Sequence, residues 1–219
     1  MKEVEWNTCT DPRAMLAWLR SAGKVSQRKL RLYACVAVRR AWHLMDPRGH
    51  EAIEAAERFA DRGIDKTALR VARLAARAAF QEGQGNRQVA WAACEVVSES
   101  MRTDVGRGMG WWYVPRAVGW GQQSDYLRDI FGPLRFCRPP VIAPSWLTWN
   151  DCIVRRLAEA AYQEREMPSG HLDPARLGVL ADALEESGCS EPLLLSHCRD
   201  GGAGHVRGCF VLDLMLGKQ

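Results

Sequence analysis

Apolar residues recur at intervals of three and four along most of the chain, as at Leu30, Ala34, Ala37 and Ala41, while two-residue alternation is nearly absent. That spacing lines one face of an α-helix, so the pattern predicts an all-α protein. The helix starts are marked chemically as well. Asp11-Pro12, Asp46-Pro47 and Asp173-Pro174 each set a capping carboxylate ahead of a proline suited to the first helical position. Ser26 opens a segment running to Leu44, and Asp65 opens one running to Glu82. Further helical patterns cover 87–102, 122–131, 150–166, 190–198 and 205–216, with Trp146 and Trp149 just ahead of an Asn150-Asp151 helix start. We expect about eight to nine helices in an orthogonal or irregular bundle, with no significant sheet.

Two stretches break the pattern. Residues 103–121 carry five glycines together with Trp111, Trp112, Tyr113 and Trp120, and a structureless segment of that length is either a linker or a loop with a task. It divides the chain into an expected N-terminal helical lobe over 1–102, a Gly/Trp-rich linker over 103–121 and a C-terminal helical lobe over 122–219. The second stretch, 132–144, has four prolines and is expected to run extended.

Composition supports a packed globular chain, with 47% hydrophobic and 26% charged residues. Acidic residues interrupt the N-terminus, and no apolar run approaches the roughly 18 residues of a membrane span, so a soluble cytoplasmic protein without a membrane partner is expected. In that compartment the eight cysteines are expected to stay mostly as thiols, and no Cys-x-x-Cys pair occurs among them.

The net charge of +4 is mild, so the distribution of charge matters more than its total. Glu51, Glu54, Glu57 and Asp61 form one helical stripe, and Lys66, Arg70, Arg73 and Arg77 form another on the next helix. A short connection folds the two helices as a hairpin, in which the stripes are expected to compensate each other and so argue against nucleic acid. The remaining basic element is the helix at 26–44, where Arg28, Lys29, Arg31, Arg39 and Arg40 could track phosphates. Leu32 and Val36 interrupt that arc, and no aromatic stacking surface accompanies it.

The densest set of metal-ligand types is Cys189, His197, Cys198, His205 and Cys209, around a Gly201-Gly202-Ala203-Gly204 turn. If 205–216 is helical, His205, Cys209 and Asp213 fall on one face, and His197 or Cys198 can be delivered across the turn. His197, Cys198, His205 and Cys209 are therefore the candidate ligands of a structural zinc ion. The competing reading is a buried apolar helix with small cysteine fillers and a hydrogen-bonded histidine. Cys35 and His43 are too far apart on one helix to share an ion. A Cys209 nucleophile with His205 as base lacks any oxyanion hole. His50-Glu51-Ala52-Ile53-Glu54 ends in glutamate where the helical zinc-protease signature needs histidine, and Gly106-Arg107-Gly108-Met109-Gly110 has no phosphate-loop lysine. With no catalytic residue to name, the reading leans away from an enzyme.

Several segments resemble an uncharacterised family of helical bacterial proteins of planctomycete type: Arg28-Lys29-Leu30-Arg31-Leu32, Arg128-Asp129-Ile130-Phe131-Gly132, Trp146-Leu147-Thr148-Trp149-Asn150-Asp151, Leu180-Ala181-Asp182-Ala183-Leu184-Glu185 and His205-Val206-Arg207-Gly208-Cys209. The resemblance implies a helical fold, and it implies no activity or cofactor, because none is established for that family. Loop aromatics are frequent binding anchors and equally frequent lids packed over a small helical core. The leading expectation is thus a non-enzymatic interaction or adaptor protein that binds another protein through Trp111, Trp112, Tyr113 and Trp120. A zinc-binding protein is the alternative, and nucleic-acid binding through 26–44 is the second.

Overall fold

The computed structural model describes residues 1–23, 25–101, 121–133, 136–201 and 204–218. Among them eleven α-helices and one short antiparallel hairpin account for the regular structure, as the periodicity predicts. No helix of the described residues is long and apolar enough to cross a membrane. The chain forms two units, Met1–Leu127 and Arg128–Gln219, and the division falls inside a helix, Gly121–Phe131. The expected linker at 103–121, with Trp111, Trp112, Tyr113 and Trp120, lies outside the described residues apart from Gly121.

The first unit contains α1 (Glu3–Thr8), α2 (Pro12–Ser21), α3 (Gln27–Arg39), a 3-10 turn (Trp42–Leu44), α4 (Pro47–Ala60), α5 (Lys66–Gln81) and α6 (Arg87–Val96). The expected caps form: Asp11, Asp46 and Asp65 accept from the backbone N–H groups of Arg13, Arg48 and Ala68, and Ser26 accepts from Lys29. The short α1 has no cap signature in the sequence, and it is held by burying Trp6 against Trp18. The segment expected to be helical over 26–44 stops at Arg39, because Ala41 leaves helical geometry and a 3-10 turn carries the chain to the Asp46 cap.

Every residue of α3 from Leu30 to Arg39 is buried, which makes it the central helix of this unit. Its alanines let neighbouring backbones approach, and its arginines are consumed internally. Arg39 forms a bidentate pair with Glu57 of α4 at 2.8 and 2.9 Å, and Arg28 pairs with Asp61 at 2.9 Å. Arg31 donates to the carbonyl of Val96, the last residue of α6, which a helix terminus leaves without an intrahelical partner, and to that of Glu99 just beyond. The compensation of the acidic stripe is therefore a correction to the hairpin expectation. Glu57 and Asp61 face α3, and the basic stripe of α5 plays no part in it. The basic arc proposed for phosphates is likewise taken up, since Arg31 and Arg39 are each only 2% exposed.

The second unit contains the last turn of α7 (Gly121–Phe131), then α8 (Pro144–Gln163), β1 (Arg165–Glu166), β2 (His171–Leu172), α9 (Pro174–Glu186), α10 (Pro192–Arg199) and α11 (Phe210–Met215). Asp173 caps α9 by accepting from Ala175. The hydrophobic pattern of 144–163 continues through a break at Trp149–Cys152, where Asn150, Asp151 and Cys152 adopt left-handed backbone angles. Val154, Ala158, Tyr162, Leu177, Leu180, Leu184, Leu194, Phe210, Val211 and Leu212 form the core. The helix expected over 205–216 begins only at Phe210. Val206 instead bridges His171 beside β2, and Gly208 takes φ +93°, a conformation that ends any helix there.

Candidate metal centre

Four side chains of the second unit converge: Asp129 from α7, His197 from α10, His205 from the extended segment after it, and Cys209 at the N-cap position of α11. Each offers one ligand atom, and the four atoms lie within 4.8 Å of one another. Local structure explains the convergence. The bridge between Val206 and His171, together with the bond from the Leu172 N–H to the His205 carbonyl at 2.8 Å, straps residues 205–206 along β2. The left-handed Gly208 then reverses the chain so that Cys209 points back toward His205.

Asp129 is the hub. Its Oδ1 lies 2.7 Å from His205 Nδ1 and 3.1 Å from His197 Nε2, while its Oδ2 accepts the Val206 backbone N–H at 2.9 Å. Cys209 Sγ stands 3.2 Å from the same His197 Nε2, and the two imidazoles meet edge to face with centroids 4.6 Å apart. The second nitrogen of His205 is 2.8 Å from the Asp200 carbonyl. That carbonyl can only accept, so Nε2 carries the ring proton.

The electrostatics follow from burial. Burial opposes charge on Asp129, but the hydrogen bonds from His197 and His205, and the positive charge those rings can carry, outweigh it and bring the carboxyl down to about 2. Burial likewise opposes charge on His205, and its contacts with Asp129 reverse the effect and raise its pKa. The Cys209 thiol is pushed well above its ordinary value by burial and then by the Asp129 charge. Asp129 thus stays a buried carboxylate, and its charge favours the protonated form of His205.

Protons alone can satisfy the cluster. His205 with a proton on each nitrogen donates to Asp129 Oδ1 and to the Asp200 carbonyl, a buried imidazolium paired with a carboxylate. His197 Nε2 can share one proton between Asp129 Oδ1 and the Cys209 sulfur, a weak acceptor. The same four atoms can instead surround a cation once the two ring nitrogens and the thiol give up the protons they turn inward.

The sequence identifies three of these four residues. His197, His205 and Cys209 come together, although through a bridge and a glycine turn and not through a helix carrying both His205 and Cys209. Cys198, the fourth candidate, is 2% exposed beside His197, and its sulfur is not one of the four converging atoms. Burial and the Asp129 charge push its thiol to about 12, as suits a core cysteine. Asp213 is buried one turn into α11 and also lies outside the group. Cys35 is buried with its sulfur 3.9 Å from the Ile53 carbonyl, in keeping with a packing role. Asp129 is absent from the sequence-derived set because spacing motifs do not reach across 68 and 76 residues. One signal was available: a carboxylate directly ahead of Ile130 and Phe131 in the last turn of a helix. No protein-family model, curated protein or solved structure matches the chain.

Proposed function

We propose that the C-terminal unit is a zinc-binding module, with the ion held by Asp129 Oδ1, His197 Nε2, His205 Nδ1 and Cys209 Sγ. The observation that carries the reading is the convergence of a carboxylate oxygen, two imidazole nitrogens and a thiol sulfur within 4.8 Å of one another, brought together across long sequence separations. The donor set fits the ion. Zinc takes nitrogen, sulfur and carboxylate ligands at about 2.0–2.3 Å, so tetrahedral ligand atoms stand roughly 3.3–3.8 Å apart. The separations of 2.7 to 3.2 Å and the outer bound of 4.8 Å bracket that range and ask for adjustments of about an ångström or less. The groups around the ligands also suit a metal. The Asp200 carbonyl fixes the His205 tautomer, and the Val206 N–H fixes the second oxygen of Asp129.

Four protein ligands complete a tetrahedral shell and leave no position for water or substrate, so the role is structural. The ion would tie the end of α7 to α10 and α11 across long sequence separations. This reading places the protein among non-enzymatic zinc-stabilised proteins. Elemental analysis of protein purified without added metal is expected to give close to one zinc per chain, and Cys209→Ser is expected to lower it sharply. Cobalt substitution should add a sulfur-to-cobalt charge-transfer band that C209S abolishes and C198S retains. Metal-free protein that stays metal-free after incubation with zinc would sink the proposal.

A further inference from the structure

Independently of the metal, α5 carries a face that the fold of its own unit does not use. Leu69, Ala76 and Ala79 bury one side of this helix. At about 100° per residue, Thr67, Val71, Leu74, Ala78 and Gln81 fall along a second strip, at intervals of four and three. Val71 is 63% and Leu74 59% exposed, the most exposed large hydrophobic side chains on the described helices longer than two turns in this unit. Ala68 and Ala75 border the strip on one flank, and Lys66, Arg70, Arg73 and Arg77, all exposed, border it on the other. The helix contains no acidic residue. Among the described residues the unit's ion pairs run through the Met1 amine, Arg13, Arg28, Arg39 and Arg48, and none of the carboxylates pairs with the four cations of α5.

An apolar strip with small residues on one side and like charges on the other is half of a helix–helix seam. The intervals match the a and d positions of a heptad, and Arg70 and Arg77 fall at g, where interhelical charge pairs choose the partner. We propose that the outer face of α5 docks an acidic amphipathic helix of a partner protein, with its apolar stripe on Val71, Leu74 and Ala78 and its carboxylates along Lys66, Arg70, Arg73 and Arg77. Nucleic acid fits less well, since its phosphates would lie over an apolar strip that gains nothing from them. An anionic bilayer fits less well too, because the strip has no aromatic anchor and only one basic flank.

The purified full-length chain can be titrated with two designed helical peptides, both with leucine at a and d, one with glutamate and one with lysine at e and g. Phosphatidylserine vesicles and duplex DNA serve as competing probes. The acidic peptide is expected to bind about tenfold or more tighter than the basic one, equivalent to about 1.4 kcal/mol. The triple variant Arg70→Glu, Arg73→Glu, Arg77→Glu should invert that preference, and Leu74→Asp should abolish binding of both peptides. These positions are exposed, so unchanged circular dichroism and melting temperature are expected to accompany the loss. Failure of the acidic peptide to bind, a preference that survives charge reversal, or vesicles or DNA binding as tightly as the peptide would overturn the proposal.

Discussion

At the scale of single residues, two glycines with opposite surroundings separate backbone demand from empty space. Gly132 sits at φ +60°, and a Cβ there would lie 2.6 Å from Cγ of the Phe210 ring. Gly132→Ala meets both a strained conformation and a core ring, so it should destabilise the second unit by at least about 1–3 kcal/mol. Gly178, inside α9, has nothing within 4 Å of the added methyl group. Gly178→Ala should therefore stabilise by roughly 0.5–1 kcal/mol through the helix preference alone. Urea denaturation of the two variants reads both signs, and a destabilised G178A would contradict the argument. Asp129 belongs to this scale as well. Asp129→Asn keeps the shape but removes the charge, and the amide can present its NH2 to groups that need an acceptor. Loss of bound zinc with the fold of the first unit intact is the expected result, by elemental analysis and circular dichroism.

At the scale of elements, α3 is a buried helix whose charges are balanced by its neighbours. Arg39 and Glu57 are 2% and 3% exposed and fully paired, so removing one partner strands the other. Glu57→Ala should destabilise by about 3–5 kcal/mol, whereas replacing both residues with apolar ones of similar size should recover most of that loss. A double-mutant cycle by chemical denaturation measures the coupling, and a single variant as stable as the parent would refute it. Caps operate on the same scale. Asp65→Ala removes the acceptor for the Ala68 N–H at 2.8 Å and should cost about 1 kcal/mol. The cap signatures were legible because they act between residues two or three apart. The start of α11 was not legible, because a distant segment decides it, the β2 bridge to Val206; the end of α3 falls short of the expected bound because a 3-10 turn carries the chain to the Asp46 cap.

At the scale of the whole molecule, the two units give different expectations for one treatment. The candidate ligands all belong to Arg128–Gln219, so chelation should act there first. Hydrogen exchange on zinc-loaded and chelator-treated protein is expected to show lost protection over Val206–Met215, with the amides of α3 and α4 unchanged. Equal loss in both units would instead indicate that they unfold together. The mild net charge of +4 is also a whole-molecule quantity, and it conceals a sharp internal division. Within α3, Arg28 and Arg39 pair with carboxylates and Arg31 is buried against carbonyls, while the arginines of α5 stand exposed without carboxylate partners among the described residues.

The sequence by itself determined the helical class, most helix starts and three of the four converging side chains. Each of these rests on residues close together in the chain, where periodicity, capping and the grouping of His and Cys types operate. Only the tertiary structure decided that Asp129 completes the set, that Cys198 and Asp213 stand outside it, and that Arg28 and Arg39 rather than α5 answer the acidic stripe of α4. The physical reason is common to all three. A carboxylate takes its partner from whatever cation or ring nitrogen the fold brings within about 3 Å, and local spacing holds no record of neighbours tens of residues away.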